Sequence, residues 1–270
     1  EGPLWYRGTA MCNPLMEADV LNRSLAKINA NRAVFGHTTT ATRLVQQRLQ
    51  GQTVEIDTGM LKANYGGSGN ALVLDGDKVS VVNQDGTKGI LPIDHPLSVG
   101  DRTREPMDDV LEGILANGTV IGSEDNGTAW EQVQVTQGEE SLLARFNALP
   151  AGGETAPDLA AYRLDRMLSL YMVPTTIRRE YKGRQGTLQI IPPETISERE
   201  RVENEIEGRF HCTLEKQTNT MYVFDALVHN PARNPDSMLY SARDWMLILV
   251  DHEKAFSQQS DLAAYLEETG

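Results

Sequence analysis

The sequence has 270 residues, 40% hydrophobic and 23% charged, enough chain to bury the cores of two modest domains. Its 38 acidic and 25 basic side chains give a formal net charge of -13, which repels a nucleic-acid backbone or an anionic membrane face and argues against either as a partner. No apolar run approaches the roughly 18 residues a transmembrane helix requires, so no integral membrane segment is expected and the chain reads as soluble.

Residue 1 is Glu, not Met, and no signal peptide is visible. The true N-terminus, with any address it carried, is therefore expected upstream, and the compartment stays open. Cys12 and Cys212 lie far apart without metal-type spacing and read as buried thiols.

The run Leu4-Trp5-Tyr6-Arg7-Gly8 opens the chain, followed by an amphipathic helix over Glu17–Ala30 in which Leu21, Leu25 and Ile28 recur at helical spacing. Short strand-like runs follow at Arg32–Phe35, Val45–Leu49 and Gln52–Ile56, with the polar stretch His37–Thr42 between the first two. Asp57-Thr58-Gly59 reads as a turn, and Gly66-Gly67-Ser68-Gly69 as a flexible connection. The glycine run lacks the Lys-Ser/Thr and helix that a phosphate loop would carry. Ala71–Leu74 and Lys78–Val82 flank Asp75-Gly76-Asp77 as a hairpin.

Gly86–Met107 is dense in Gly, Pro and Asp and marks a boundary. The division expected is a first domain over 1–90, a linker over 91–107 and a second domain over 108–270. In the second domain Asp108–Ala116 reads as helix, and Glu131–Thr136 with Ser141–Phe146 as paired strands about Gln137-Gly138. Ala151-Gly152-Gly153 reads as loop, and Asp158–Tyr171 as a helix ending before Pro174. Thr175–Tyr181 and Thr187–Ile191 read as strands, Met221–Val228 as helix, Trp245–Val250 as a buried strand and Asp261–Glu267 as a closing helix. Arg178-Arg179 with Lys182, and the run Glu198–Glu207, read as solvated charged faces.

Phe35-Gly36-His37-Thr38 puts a histidine at a strand end, where an α/β sheet presents ligands. The order Trp5-Tyr6-Arg7, helix, strand-Gly36-His37-Thr38, then Val54-Glu55-Ile56-Asp57-Thr58-Gly59 and a hairpin resembles the C-terminal half of calcineurin-like metallophosphoesterases. The nearest likeness is to the phosphoprotein-phosphatase branch and its bacterial Shewanella-like relatives. The resemblance implies that His37 ligates one metal of a divalent pair (Mn, Fe or Zn), that Arg7 binds the substrate phosphate, and that both serve catalysis on a phosphorylated substrate. The residue types suit those roles, since neutral imidazole binds transition metals and guanidinium grips two phosphate oxygens. Asp57 could orient a ligand at one remove. The family's earlier motifs, Gly-Asp-x-His, Gly-Asp-x-x-Asp-Arg-Gly and Gly-Asn-His-Glu, occur nowhere in the sequence. One histidine and one arginine cannot hold two metals, so the chain is expected to be a fragment of a longer enzyme and inactive alone.

Residues 108–256 carry a second resemblance, to atypical kinases of the secretory-pathway and phosphatidylinositol-kinase-like type. It rests on Ala144-Arg145-Phe146-Asn147, Asp158–Arg166, Val173-Pro174, Phe224-Asp225-Ala226-Leu227, Asn230-Pro231-Ala232-Arg233-Asn234, Met238-Leu239-Tyr240 and Val250-Asp251-His252-Glu253-Lys254-Ala255-Phe256. By resemblance the nucleotide-binding lysine falls on Asn147, the catalytic aspartate on Ala232 and the metal-binding asparagine on Ser237. Only the metal aspartate survives, as Asp251, the one cofactor-binding candidate. An alanine methyl accepts no proton, so a pseudokinase is implied, with no ATP–Mg²⁺ binding expected and a protein partner possible. The residues themselves favour a structural role for Asp251, with His252 and Glu253 on the same solvated turn.

The fold expected is thus α+β in two domains, a partial metallophosphatase α/β sandwich followed by a kinase-like α+β domain. Two readings of function stand open: a metal-dependent phosphatase with a degenerate kinase-like appendage, or a non-catalytic binding scaffold. A third, a kinase with relocated catalytic groups, keeps Arg145 in view because it lies two residues from the lysine position on the same strand face.

Overall fold

The computed structural model describes residues 6–40, 43–76, 78–86, 88–90, 108–122, 130–150 and 155–256. The chain is mixed α+β and divides into two compact units, Glu1–Met107 and Asp108–Gly270. The expected linker over 91–107, the loop at 151–153, Asp77 of the hairpin turn and the closing helix over 261–267 lie outside the described residues. Among the described residues no helix is long and apolar enough to cross a membrane.

The first unit opens with a single helical turn, α1 (Gly8–Met11), followed by α2 (Pro14–Lys27). Asn13 starts α2: its side chain accepts the N–H of Leu15 at 2.8 Å, and Pro14 at the first helical position loses no intrahelical bond. The apolar stripe predicted on this helix is real, with Leu21 and Leu25 packing on Leu49. The exposed Ile28 is not part of it, because the helix stops at Lys27. Three short strands, β1 (Ala33–Phe35), β2 (Gln46–Arg48) and β3 (Thr53–Glu55), form a sheet of order β1-β3-β2. β1 runs parallel to β3 in register Val34 to Val54, and β2 runs antiparallel to β3. A parallel pair joined through a hairpin leaves β1 at the sheet edge. The single turn α3 (Lys62–Tyr65) precedes an antiparallel sheet of β4 (Asn70–Asp75), β5 (Lys78–Asn83) and β6 (Lys88–Ile90). The last of these occupies part of a stretch expected to be irregular. Val54 and Val81 are buried together with Leu72 and Val79 against them.

The second unit is built on helix α4 (Asp108–Asn117) and five antiparallel strands: β7 (Thr119–Gly122), β8 (Glu131–Gln137), β9 (Glu140–Ala148), and, after helix α5 (Pro157–Met167), β10 (Thr176–Tyr181) and β11 (Arg184–Ile190). Their order is β10-β11-β9-β8-β7. Ile114 and Leu115 of α4 bury against Val133, Val135, Ala144, Phe146 and Leu188. Beyond the sheet come β12 (Thr195–Ser197), α6 (Glu198–Glu203), α7 (Leu214–Leu227), β13 (Met238–Ser241) and β14 (Leu247–Leu249), the strands forming a small antiparallel sheet. α7 buries Met221 and Phe224 in a core with Ala161, Tyr162, Met172, Tyr240, Leu247 and Leu249.

Several expectations are corrected. α5 ends at Met167, before Leu168 and Tyr171. The buried Asp165 carboxylate accepts the N–H of Met172 at 2.8 Å and of Val173 at 3.3 Å, while Ser169 and Tyr171 take left-handed backbone angles, so the chain turns out of the helix. Arg179 is not a solvated charge: it donates to the carbonyls of Leu115 and, at 2.7 Å, Gly118, supplying the acceptor-rich end of α4 with a cation. Cys12 and Cys212 are buried, but neither is a free thiol, so the expectation of thiols fails.

Candidate functional site

The opening run is held by three contacts. The Tyr6 hydroxyl donates to the carboxylate of the fully buried Glu17, its oxygens 2.6 and 2.7 Å away. Burial of the hydroxyl and the adjoining carboxylate push the Tyr6 pKa far up, so the phenol stays protonated. Gly8 explains itself here: a Cβ at that position would stand 2.8 Å from Glu17 Oε2 and collide with the Tyr6 ring. Trp5 lies outside the described residues.

Arg48, buried on β2, supplies the second tether. Its guanidinium donates to the Thr9 carbonyl and, at 2.7 Å, to the Cys12 carbonyl, satisfying acceptors at the end of the α1 turn, and lies 3.7 Å from Glu55 on β3. Sequence reasoning missed this residue. A cation inside a short strand carries no periodic signal that says its partners lie on a turn nearly forty positions earlier.

These tethers set the third contact. Arg7 Nη1 donates to the backbone carbonyl of His37 and, at 2.9 Å, to Thr38 Oγ1. The structure therefore brings Arg7 together with the His37 loop, as the folding of the opening run onto β1 requires. His37 follows β1, is exposed, and has φ 68°, a left-handed backbone that costs a non-glycine residue roughly 1–2 kcal/mol. Among the described residues Arg7 Nε and Nη2 make no hydrogen bond, leaving one edge of the fork for an oxyanion. The loop is braced from below by Thr40, whose N–H donates to the Asp57 carbonyl at 2.9 Å. Asp57 itself shapes the turn expected of Asp-Thr-Gly, its Oδ1 accepting the Gly59 N–H at 3.0 Å.

No group of three or more His, Cys, Asp or Glu side chains among the described residues could hold a metal ion. The described residues therefore do not by themselves supply the donor set of a metal pair at His37.

In the second unit, Asp251 follows the last strand with φ 60° and a partly exposed carboxylate. Arg145, buried on β9, donates to Asp251 Oδ1 and stands 3.7 Å from Oδ1 of Asp158 at the start of α5. Asp158 is further held by Asn147 Nδ2 at 2.9 Å and the His252 N–H at 3.0 Å. Asn147 is thus a brace for a carboxylate. Ser237 is fully buried and closes a turn, its Oγ donating to the Asn234 carbonyl at 3.0 Å, while Ala232 takes part through its backbone alone, its N–H donating to Asn230 Oδ1 at 3.2 Å and its carbonyl accepting from Asn234 Nδ2 at 3.1 Å.

His252 does not sit on a solvated turn. It is wholly buried, edge-on to Phe224, with Nε2 accepting from Arg233 at 2.9 Å. Burial first, then the Arg233 and Arg145 cations, hold its pKa well below the ordinary range, so it is a neutral imidazole carrying its proton on Nδ1. Arg233 in turn forks onto Asp225 at 2.8 Å on each oxygen. The centre is a buried ion network in which Arg145 Nε and Nη2 make no hydrogen bond among the described residues, and Asp251 is partly open to solvent.

No known family profile matches the chain. A stretch of 82 residues, 30% of the chain, is 34% identical to uncharacterized protein C1840.07c of Schizosaccharomyces pombe, and the chain spans about a quarter, 24%, of that relative's length. The likeness carries no statement of activity.

Proposed function

We propose that the first unit is the phosphate-facing rim of a metal-dependent phosphoesterase acting on a phosphomonoester, with the remaining metal ligands supplied by residues outside this chain. The observation that carries the reading is the Arg7 contact with the His37–Thr38 loop. It sets the Arg7 guanidinium against the backbone of the strand-end histidine, and a left-handed histidine is a conformation that needs its surroundings to maintain it. The exposed Val34 on edge strand β1 supports a sheet that continues onto other residues. A metal pair, where bound, would supply an activated water for attack at phosphorus. This chain's part is to orient the phosphate with Arg7 and to offer His37 as one ligand.

The test is phosphomonoester hydrolysis with Mn²⁺ by the whole protein. It should turn over an aryl phosphate and lose about 10²-fold or more on either Arg7→Ala or His37→Ala, whereas residues 1–270 alone should show little activity. Hydrolysis indifferent to both substitutions, or robust turnover by the 270-residue chain, overturns the reading.

For the second unit the buried network favours a non-catalytic module. Its cation pairs internally with Asp251, and the positions that would serve phosphoryl transfer are an alanine, a structural serine and a bracing asparagine. A protein-binding role follows as the proposal, and the absence of ATP-dependent phosphoryl transfer checks its catalytic half.

A further inference from the structure

A cavity of about 380 Å³ opens in the first unit between the turn after the His37–Thr40 loop and the glycine run. It lies within the roughly 300–1,000 Å³ range of small-molecule sites. Two cations line it, Arg43 and Lys62, and no carboxylate does among the described residues. In a chain of net charge -13 that is a local reversal of sign.

Arg43 is built into place. Its backbone is left-handed at φ 58°, and its Nε and Nη1 donate to the carbonyls of Tyr65 at 2.6 Å and Thr40 at 2.5 Å. Those bonds fix the plane of the guanidinium and leave Nη2 without a partner among the described residues. The glycine run forms the facing wall and is not the flexible connection its composition suggests. Gly67 donates its N–H to the Gly59 carbonyl at 3.1 Å, and a Cβ there would strike the Thr58 carbonyl, so the loop is pressed onto the Asp57–Gly59 turn. Thr58 Oγ1 donates to the Ser68 carbonyl at 2.7 Å, locking the same face. Ser68 keeps its N–H and hydroxyl unbonded among the described residues, and Gln84 spends Oε1 on the Gly69 N–H at 3.0 Å, leaving its amide protons as donors. Leu44 and Met60 supply an exposed apolar rim.

We propose that this cavity binds a phosphomonoester, its dianion between Arg43, Lys62 and the Ser68 and Gln84 donors and its organic group against Leu44 and Met60. A tethered guanidinium and an exposed ammonium, with several neutral donors and no competing carboxylate among the described residues, match a doubly charged tetrahedral oxyanion. An apolar rim favours an ester over the bare ion. The assignment does not rest on the phosphoesterase reading, since it uses neither Arg7 nor His37.

The test is calorimetric titration of the 270-residue chain with phenyl phosphate, inorganic phosphate and benzoate, in the presence of EDTA. Phenyl phosphate should bind saturably, more tightly than either of the others and more weakly as salt rises. Charge reversal by Lys62→Glu, at an exposed side chain that leaves the fold intact, should weaken phenyl phosphate by about tenfold or more, and His37→Ala should leave it unchanged. Three results would overturn the proposal: no saturable binding at millimolar ligand, benzoate binding as well as phenyl phosphate, or binding lost on His37→Ala but kept on Lys62→Glu. The last would place the ligand at the Arg7 rim instead, so this site and that reading fail separately.

Discussion

Arg145 donates to Asp251 while standing 3.7 Å from Asp158, so one buried cation serves two carboxylates that lie far apart in the second unit's sequence. Removing that cation strands a buried carboxylate, and the loss exceeds what the exposed partner is worth. Arg145→Met should therefore destabilise the second unit by about 3–5 kcal/mol. Asp251→Asn should cost clearly less, because its side chain reaches water and Asp158 still neutralises the arginine. Urea unfolding of the three proteins checks the order; equal losses would mean that Asp251 carries the network.

The geometry of Arg7 is inherited from Arg48. Arg48→Met removes two donors from the α1 turn and leaves Glu55, itself buried, without its neighbouring cation. A loss of about 3–5 kcal/mol is expected in the first unit. Tyr6→Phe should cost about 1.5–3 kcal/mol, the range for a hydrogen bond to a charged group. Hydrogen exchange at the β1 and β3 amides reads both, and protection unchanged by Arg48→Met would remove its positioning role.

Two glycines should respond to alanine with opposite signs. At Gly67 the new methyl meets backbone carbonyls that cannot rotate away, so about 1–3 kcal/mol of destabilisation is expected. Gly113 lies inside α4 with nothing within 4 Å of a Cβ, so alanine should stabilise by about 0.5–1 kcal/mol through helix propensity. Thermal melting of the two variants gives shifts of opposite direction.

Hydrophobic spacing made α2, the β4–β5 hairpin and the β8–β9 pair legible, because in each the buried face is set by neighbours a few residues away. The end of α5 was not legible. Leu164, Leu168 and Tyr171 continue a helical period, and the chain departs from it only because the side chain of Asp165 captures two backbone amides. The same kind of long-range partner hid the candidate sites. Asp251–Lys254 has the composition of a solvated turn, yet Arg233, 19 residues earlier, and Phe224 on α7 draw His252 inside. Gly66–Gly69 has the composition of a linker, yet the Thr58 hydroxyl and the Gly59 carbonyl hydrogen-bond it onto the Asp57–Gly59 turn. Arg7 and His37 stand out through the metallophosphoesterase resemblance, since a single arginine and a single histidine at element ends carry no periodic signal.

Burial of His252 as a neutral ring makes the second unit acid-sensitive. Its folded pKa is depressed, so the unfolded chain takes up a proton at about pH 6.5 that the folded chain refuses. The associated stability is fully present above that pH and is lost as pH falls through the window below it, at up to about 1.4 kcal/mol per pH unit for one proton. His252→Gln keeps an acceptor for Arg233 but does not titrate, so its unfolding free energy should be lower than that of the native sequence at pH 7.5 and converge on it towards pH 5. Stability measured by urea titration across that range decides the matter. Parallel pH profiles for the two proteins would mean that the imidazole gains its proton in the folded state as easily as in the unfolded chain.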